Sequence, residues 1–131
     1  MPCMRQGQNK CIATFSKRSA NLNMFDNVAN SLINNNSSYH PRISFNLNTN
    51  TTSILIVDDE IDILSVVKRR LQQYGFNTCC FTKPDIAVEH YKARSNTHQL
   101  IISDLLMPKM NGFEFVRKAK EINSNVTRYS L

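Results

Sequence analysis

The 131-residue sequence lacks long apolar runs and spaced cysteines, and each absence excludes a class of protein. No apolar run approaches the roughly 18 residues that a transmembrane helix needs. The N-terminal stretch MPCMRQGQNKCIATFSKRSA has no sustained apolar segment of the kind that marks a secretory signal peptide. The sequence therefore predicts a cytoplasmic protein without a membrane segment.

The four cysteines form neither the spaced pattern of a disulfide framework nor a CxxC pair. Cys79 and Cys80 are adjacent, and we interpret them as reduced thiols on a strand. A metal-binding role for Cys3 and Cys11 is not favoured. The sequence shows no zinc motif and no helix-turn-helix, so we expect no direct binding to nucleic acid.

Acidic residues are scarce in the first fifty positions, where five Lys or Arg accompany the single acid Asp26. A basic tail favours acidic partners electrostatically, but this one has no basic cluster interleaved with aromatic residues. The segment is rich in Asn and Ser, which favour turns over regular structure. We predict a disordered tail over residues 1–52 and a folded domain over residues 53–131.

From residue 53 onward, short apolar runs alternate with helical patterns. Apolar residues recur at helical spacing in three segments, which begin at Ile61, Ile86 and Phe113, and Gly75 stands where the first helix is expected to end. The alternation predicts an α/β fold with a parallel sheet and helices on both faces. The predicted elements, in chain order, are a strand at 54–57, a helix over 61–71, a strand at 76–82, a helix from 84, a strand at 100–102 and a helix from 113 to about 123.

Carboxylates follow two of the predicted strands. Asp58 and Asp59 come directly after the first strand, and Asp104 comes after the third. Ligands of open parallel sheets bind beyond the carboxyl ends of the strands, so these acids share a pocket if the two strands are neighbours. Crowded carboxylates are costly unless they are paired or bound to metal, and Mg²⁺ binds carboxylate oxygens and water. The sequence thus predicts a Mg²⁺ site, and the alternative is a set of acids that suit surface turns or helix starts, as we interpret Glu60.

The segments ILIVDDE and LIISDLLMPKMNG, with 45 positions from Asp59 to Asp104, resemble the receiver domain of two-component response regulators. The resemblance covers residues 53–131. It implies a doubly wound, flavodoxin-like fold in which Asp104 accepts a phosphoryl group from a sensor histidine kinase or a phosphotransfer protein. It also implies that Asp58, Asp59, Asp104 and the backbone carbonyl of Leu106 bind Mg²⁺.

The same resemblance assigns a pocket-shaping loop and implies that parts of the family pattern are missing. Met107, Pro108 and Gly112 match the loop, with Pro108 and Gly112 suited to its turns. The Thr or Ser that ends the family's fourth strand, and the Lys that ends its fifth, would lie beyond Leu131. We therefore expect a truncated sheet of order 2-1-3 with a partial fourth strand, impaired phosphotransfer, and homo-association through an exposed sheet edge.

Two alternatives to the phosphoacceptor remain open. The first is an interaction module that binds a kinase or another receiver without phosphorylation, with the basic run at 68–70 either a docking patch or a solvated helix face. The second is a Mg²⁺-dependent phosphatase, which is not favoured because an Asp-x-Asp pattern is absent after the first strand. In either receiver interpretation the chain is a signalling domain and not a dedicated enzyme. His40, His90 and His98 are far apart in sequence, and we interpret them as surface or packing residues.

Overall fold

Short apolar runs form the strands, and the segments of helical spacing form the helices. The computed structural model describes residues 10–16 and 53–130. Each predicted strand and helix after residue 53 is present, with ends shifted by a few residues. The elements of the described residues are β1 (Lys10–Phe15), β2 (Ser53–Val57), α1 (Ile61–Gln73), β3 (Asn77–Phe81), α2 (Pro84–Arg94), β4 (Leu100–Asp104), α3 (Gly112–Ile122) and β5 (Val126–Ser130).

All five described strands lie parallel in one sheet, in the order β3-β2-β4-β1-β5. The first three positions, β3-β2-β4, are the predicted order 2-1-3, which is confirmed. The flavodoxin-like arrangement is also confirmed, since α1 covers one face of the sheet while α2 and α3 cover the other.

The position of β1 corrects two predictions. Residues 10–15 were predicted to belong to a disordered tail, but all six are buried in the sheet. The partial fourth strand, β5, was expected beside the third, but β1 lies between β4 and β5. The short run CIATF is apolar enough to form a strand that is covered on both faces. The strand was not predicted because the residues around it are polar, so the segment as a whole has a polar composition. The rest of the predicted tail lies outside the described residues, and the boundary at residue 52 stays a prediction.

The sheet separates two hydrophobic cores. One lies under α1 and includes the β1 residues Cys11, Ala13 and Phe15. The other lies under α2 and α3 and includes Ile12. Burying a large apolar side chain contributes roughly 1.5–3 kcal/mol, so β1 stabilises both layers of the fold at once.

The first apolar residue of each helix is not part of the buried face that the helical spacing predicts. Ile61, Ile86 and Phe113 are exposed, whereas Leu64, Val88 and Val116, two or three positions later in the same helices, are buried. The helices start beyond the carboxyl ends of the strands, so their first turns extend past the sheet that would cover them. Three exposed apolar side chains therefore lie at that end of the domain.

Local signals account for the helix ends. Gly75 has φ 91° just after α1, which confirms the predicted cap and the need for a left-handed residue there. Asn111 precedes α3, and its side chain accepts a hydrogen bond from the amide of Glu114 at 2.9 Å. Glu60 holds the cap position of α1, although its side chain makes no capping hydrogen bond.

None of the helices in the described residues is long and apolar enough to cross a membrane.

Candidate functional site

Three carboxylates lie together beyond the carboxyl ends of β2 and β4. These strands are neighbours, with Val57 opposite Ser103, so Asp58 and Asp104 follow at the same level of the sheet. One carboxylate oxygen from each of Asp58, Asp59 and Asp104 lies within 4.8 Å of the others. Asp58 and Asp104 are fully buried and Asp59 is partly buried. The convergence predicted from the strand ends is present.

Backbone amides hold the two buried carboxylates in place. The Oδ1 atom of Asp58 accepts a hydrogen bond from the amide of Glu60 at 2.9 Å. The Oδ1 atom of Asp104 accepts one from the amide of Leu106 at 3.4 Å. Each acid is thus oriented by the residue two positions later, at the point where the chain leaves its strand.

The ligand atoms of the acid cluster are of the type that Mg²⁺ binds. Three clustered carboxylates offer hard oxygen ligands, which Mg²⁺ and Ca²⁺ prefer. Burying two negative charges side by side is unfavourable unless positive charge compensates for them. Asp58, Asp59 and Asp104 therefore fit a divalent cation.

The loop after β4 is fixed at both of its ends. The amide of Leu105 donates to the carbonyl of Phe15 at 2.9 Å, and the amide of Gly112 donates to the carbonyl of Leu105 at 2.9 Å. A Cβ atom at Gly112 would lie 2.8 Å from the backbone oxygen of Asp104 and 2.9 Å from the Cα of Leu105. Close backbone approach explains the glycine, which is the first residue of α3 and has no positive φ that would require a left-handed turn.

The other predicted loop residues differ in their surroundings. Met107 is buried in the core under α2 and α3, so it anchors the loop by packing. Pro108 is exposed, and its carbonyl accepts a hydrogen bond from the amide of Met110 at 2.7 Å. Lys109 between them has φ 69°, a left-handed conformation that few non-glycine residues adopt. The side chain of Leu106 is exposed, and its proposed ligation through the carbonyl stays a prediction.

β1 brings polar groups to this end of the sheet that sequence reasoning missed. Phe15 is the register partner of Asp104, so Ser16 follows directly beyond it. Thr14 is buried and accepts a hydrogen bond from Nε of Arg128 at 3.1 Å. The Arg128 guanidinium also lies 4.7 Å from the ring centre of Phe113. The sequence signal was present, because CIATFS is an apolar run that ends in hydroxyl residues.

Two histidines that were interpreted as separate surface or packing residues are in contact. The Nε2 atoms of His90 and His98 lie 2.8 Å apart, and the sulfur of Cys79 is close to both. Their separation in the sequence concealed this contact, because α2 and the turn after it bring the two rings together. His40 lies outside the described residues.

The acid cluster, the loop after β4 and the strand order β3-β2-β4 are those that the sequence resemblance predicted. The family model described as the response regulator receiver domain matches residues 54–130. The chain belongs to this receiver domain family. Receiver domains are signalling modules of two-component systems, and phosphorylation and Mg²⁺ binding in an acidic pocket are general features of the family.

Among curated proteins, relatives include sensor proteins and response regulators. The chain is 36% identical over 77 residues to the autoinducer 1 sensor kinase/phosphatase LuxN of Vibrio campbellii and 35% identical over 79 residues to the sensor protein EvgS of Escherichia coli K12. It is 29% identical over 75 residues to the response regulator SaeR of Staphylococcus epidermidis. These matches cover 57–60% of this chain but only 9%, 6% and 31% of LuxN, EvgS and SaeR.

Solved structures give the same assignment. A receiver domain protein from Clostridium thermocellum has a TM-score of 0.57 and 25% identity, with 60% of this chain and 63% of that chain covered. The CheX–CheY–BeF₃–Mg²⁺ complex from Borrelia burgdorferi has a TM-score of 0.58 and 25% identity, with 64% of this chain and 66% of that chain covered.

Proposed function

We propose that this chain is a phosphoacceptor of a two-component phosphorelay and that Asp104 accepts the phosphoryl group. The observation that carries the proposal is the burial of Asp104 within 4.8 Å of the carboxylates of Asp58 and Asp59. The donor is the phosphohistidine of a sensor histidine kinase or of a phosphotransfer protein. Family membership supports this class of donor. The cytoplasmic location also stays a prediction.

The transfer requires one nucleophilic oxygen on this chain. A carboxylate oxygen of Asp104 attacks the phosphorus atom, forming an O–P bond as the P–N bond of phosphohistidine breaks. The electron pair of the broken bond returns to the imidazole nitrogen, which takes a proton from solvent. The product on this chain is an acyl phosphate.

Mg²⁺ held by Asp58, Asp59, Asp104 and the carbonyl of Leu106 would supply the positive charge that offsets repulsion between carboxylate and phosphoryl oxygens. The chain itself orients the nucleophile. The amide of Leu106 holds one oxygen of Asp104, and the contacts of Leu105 with Phe15 and Gly112 fix the backbone behind it. Positioning of this kind reduces the entropy that the reaction must otherwise lose.

Incubation with Mg²⁺ and a small acyl phosphate such as acetyl phosphate tests the proposal. We expect one phosphoryl group per chain by intact mass, and none after Asp104→Asn. Asp62→Asn is a matched control, because it removes the same charge from the first turn of α1 and should label normally. Undiminished labelling of the Asp104→Asn variant would contradict the assignment.

The second candidate function is an interaction module that binds a kinase without phosphorylation. It is favoured by the exposed apolar side chains of Ile61, Ile86, Leu106 and Phe113, which lie on helix starts and a loop at one end of the sheet. Binding to a kinase fragment that is lost in Ile61→Ser, with no labelling of the wild type by acetyl phosphate, would favour this alternative. Efficient labelling would instead indicate that these side chains belong to the surface on which the phosphoryl donor docks.

A further inference from the structure

A cluster of nitrogen and sulfur ligands lies away from the acid site. It comprises Cys79 on β3, His90 on α2 and His98 in the turn before β4. One ligand atom from each residue lies within 4.8 Å of the other two. His98 is buried, and Cys79 and His90 are partly buried, so an ion from solvent can reach the cluster.

The hydrogen bonds define which ring nitrogens hold protons. Nδ1 of His98 lies 2.9 Å from the carbonyl oxygen of Ser53. A carbonyl only accepts, so this nitrogen must donate, and in a neutral ring Nε2 of His98 is left with a lone pair. Nε2 of His90, 2.8 Å away, must then donate the proton that the two rings share.

We propose that Cys79, His90 and His98 form a Zn²⁺ site, in which the metal ion replaces the proton between the two imidazoles. On binding, Nε2 of His90 releases its proton, Nδ1 of that ring takes one up, and the thiol of Cys79 is deprotonated, so that one proton in total leaves the site. Thiolate and imidazole ligands suit Zn²⁺ and exclude Mg²⁺. Three protein ligands leave a fourth position for water or for another ligand.

The surroundings of His98 are those of a metal ligand. Metal-bound histidines commonly donate their second N–H to a carbonyl or a carboxylate, which fixes the ring orientation, and Ser53 provides such a carbonyl. Burial lowers the pKa of His98, and burial also lowers the pKa of His90. Both rings are therefore neutral at pH 7, the state in which imidazole binds metal.

Geometry and charge also limit the site. Bond lengths near 2.0 Å for Zn–N and 2.3 Å for Zn–S place the tetrahedral ligand atoms of this site roughly 3.3–3.5 Å apart, so the 2.8 Å contact of the two rings must open slightly. Two cations, Lys10 and Arg94, act on His98, and Nζ of Lys10 lies 3.3 Å from the carbonyl oxygen of His98. Their repulsion weakens binding, and the negative charge of the Cys79 thiolate offsets part of it.

Co²⁺ is the spectroscopic probe, because it replaces Zn²⁺ and reports its ligands by colour. Untagged full-length protein, reduced and freed of metal, is titrated with Co²⁺ and then with Zn²⁺. We expect tetrahedral visible bands and a thiolate-to-cobalt band in the near ultraviolet, with one tetrahedral ion per chain and loss of colour on addition of Zn²⁺. Absence of the thiolate band in folded protein would overturn the proposal.

Variants separate this site from other thiols and from the acid cluster. Cys79→Ser should remove the thiolate band, whereas Cys80→Ser, the adjacent partly buried cysteine, should retain it. His90→Gln should weaken binding by more than the roughly 10- to 100-fold that is typical of losing an outer-shell partner. His90 is only partly buried, so this variant keeps the test valid if His98→Gln does not fold. Asp104→Asn should leave the spectrum unchanged, and a loss of the thiolate band in Cys80→Ser alone would contradict the assignment.

Discussion

The two polar clusters of the domain use opposite ligand chemistries and were unequally visible in the sequence. The acid cluster contains only oxygen ligands, with Asp58 and Asp59 directly after β2 and Asp104 as the last residue of β4. The second cluster combines sulfur and nitrogen ligands from a strand, a helix and a turn. A site at strand ends follows from sheet topology alone, whereas a site built across a helix and a sheet depends on packing that no short motif records.

β1 is the element that the two clusters share. At its first residue, Nζ of Lys10 reaches the carbonyl of His98, and at its last residue the carbonyl of Phe15 accepts from Leu105 beside Asp104. The strand between these contacts spans the sheet from one cluster to the other. Changes to β1 should therefore disturb both clusters, and changes near one cluster should spare the other.

The largest expected effect is that of Ile12→Ala. Ile12 is fully buried in β1, and truncating a buried isoleucine costs about 2–5 kcal/mol in the free energy of unfolding. Urea denaturation measures this loss, and both Asp104 labelling and Co²⁺ binding should decline as the folded fraction falls. Ile61→Ala makes the same substitution at a residue that is 66% exposed and should change stability by no more than about 0.5 kcal/mol. Equal effects of the two substitutions would show that β1 does not support the fold.

The contrast between predicted and missed features has a physical basis. The strands and helices from residue 53 to residue 122 were readable because they are apolar segments with Gly, Pro or Asp at one end or both. β1 was missed because it is one short apolar run inside a polar segment, and its partners β4 and β5 lie more than 80 residues away in the sequence. Non-local pairing of this kind leaves no periodic signal.

In the candidate site, too, some features were predicted from the sequence and others were not. Asp58, Asp59 and Asp104 were found because strand ends determine their position. The steric role of Gly112 was missed because it depends on the backbone of Asp104 and Leu105, which approaches only in the folded chain. The contact of His90 with His98 was missed because eight positions apart is neither one helical turn nor a known metal-ligand spacing.

An intermediate effect is expected for Gly112→Ala, which tests whether the acid cluster can be disturbed alone. The added Cβ would lie 2.8 Å from the carbonyl oxygen of Asp104, so the backbone that holds the nucleophile must shift. Overpacking of this kind costs about 1–3 kcal/mol, and labelling by acetyl phosphate should slow while the thiolate-to-cobalt band is retained. Ser65→Ala, at an exposed position of α1, is the control and should leave both measurements unchanged. Equal slowing in the two variants would refute the steric explanation.

The smallest effect is expected from pH, and it concerns the Cys79–His90–His98 cluster alone. Burial lowers the pKa of His98 and of His90 below 6.5, the ordinary value that the unfolded chain retains. Between the folded and unfolded values the unfolded chain binds more protons, so stability falls as pH decreases through 6.5 and levels off below the folded pKa values. The hydrogen bond with the Ser53 carbonyl opposes the lowering of the His98 pKa, whereas His90, Lys10 and Arg94 add to it, and Arg94 also adds to the lowering of the His90 pKa.

Urea midpoints of metal-free protein between pH 7.5 and 5.5 measure this dependence. The decline should diminish in a His90→Gln/His98→Gln variant and persist in His40→Gln, which removes the third histidine of the chain. Saturating Zn²⁺ should steepen the decline, because protons then compete with the metal for the imidazoles and bound metal stabilises only the folded state. A urea midpoint that is independent of pH in the wild type would mean that the folded protein does not favour the neutral form of the two imidazoles. The two clusters would then differ only in the type of their ligand atoms.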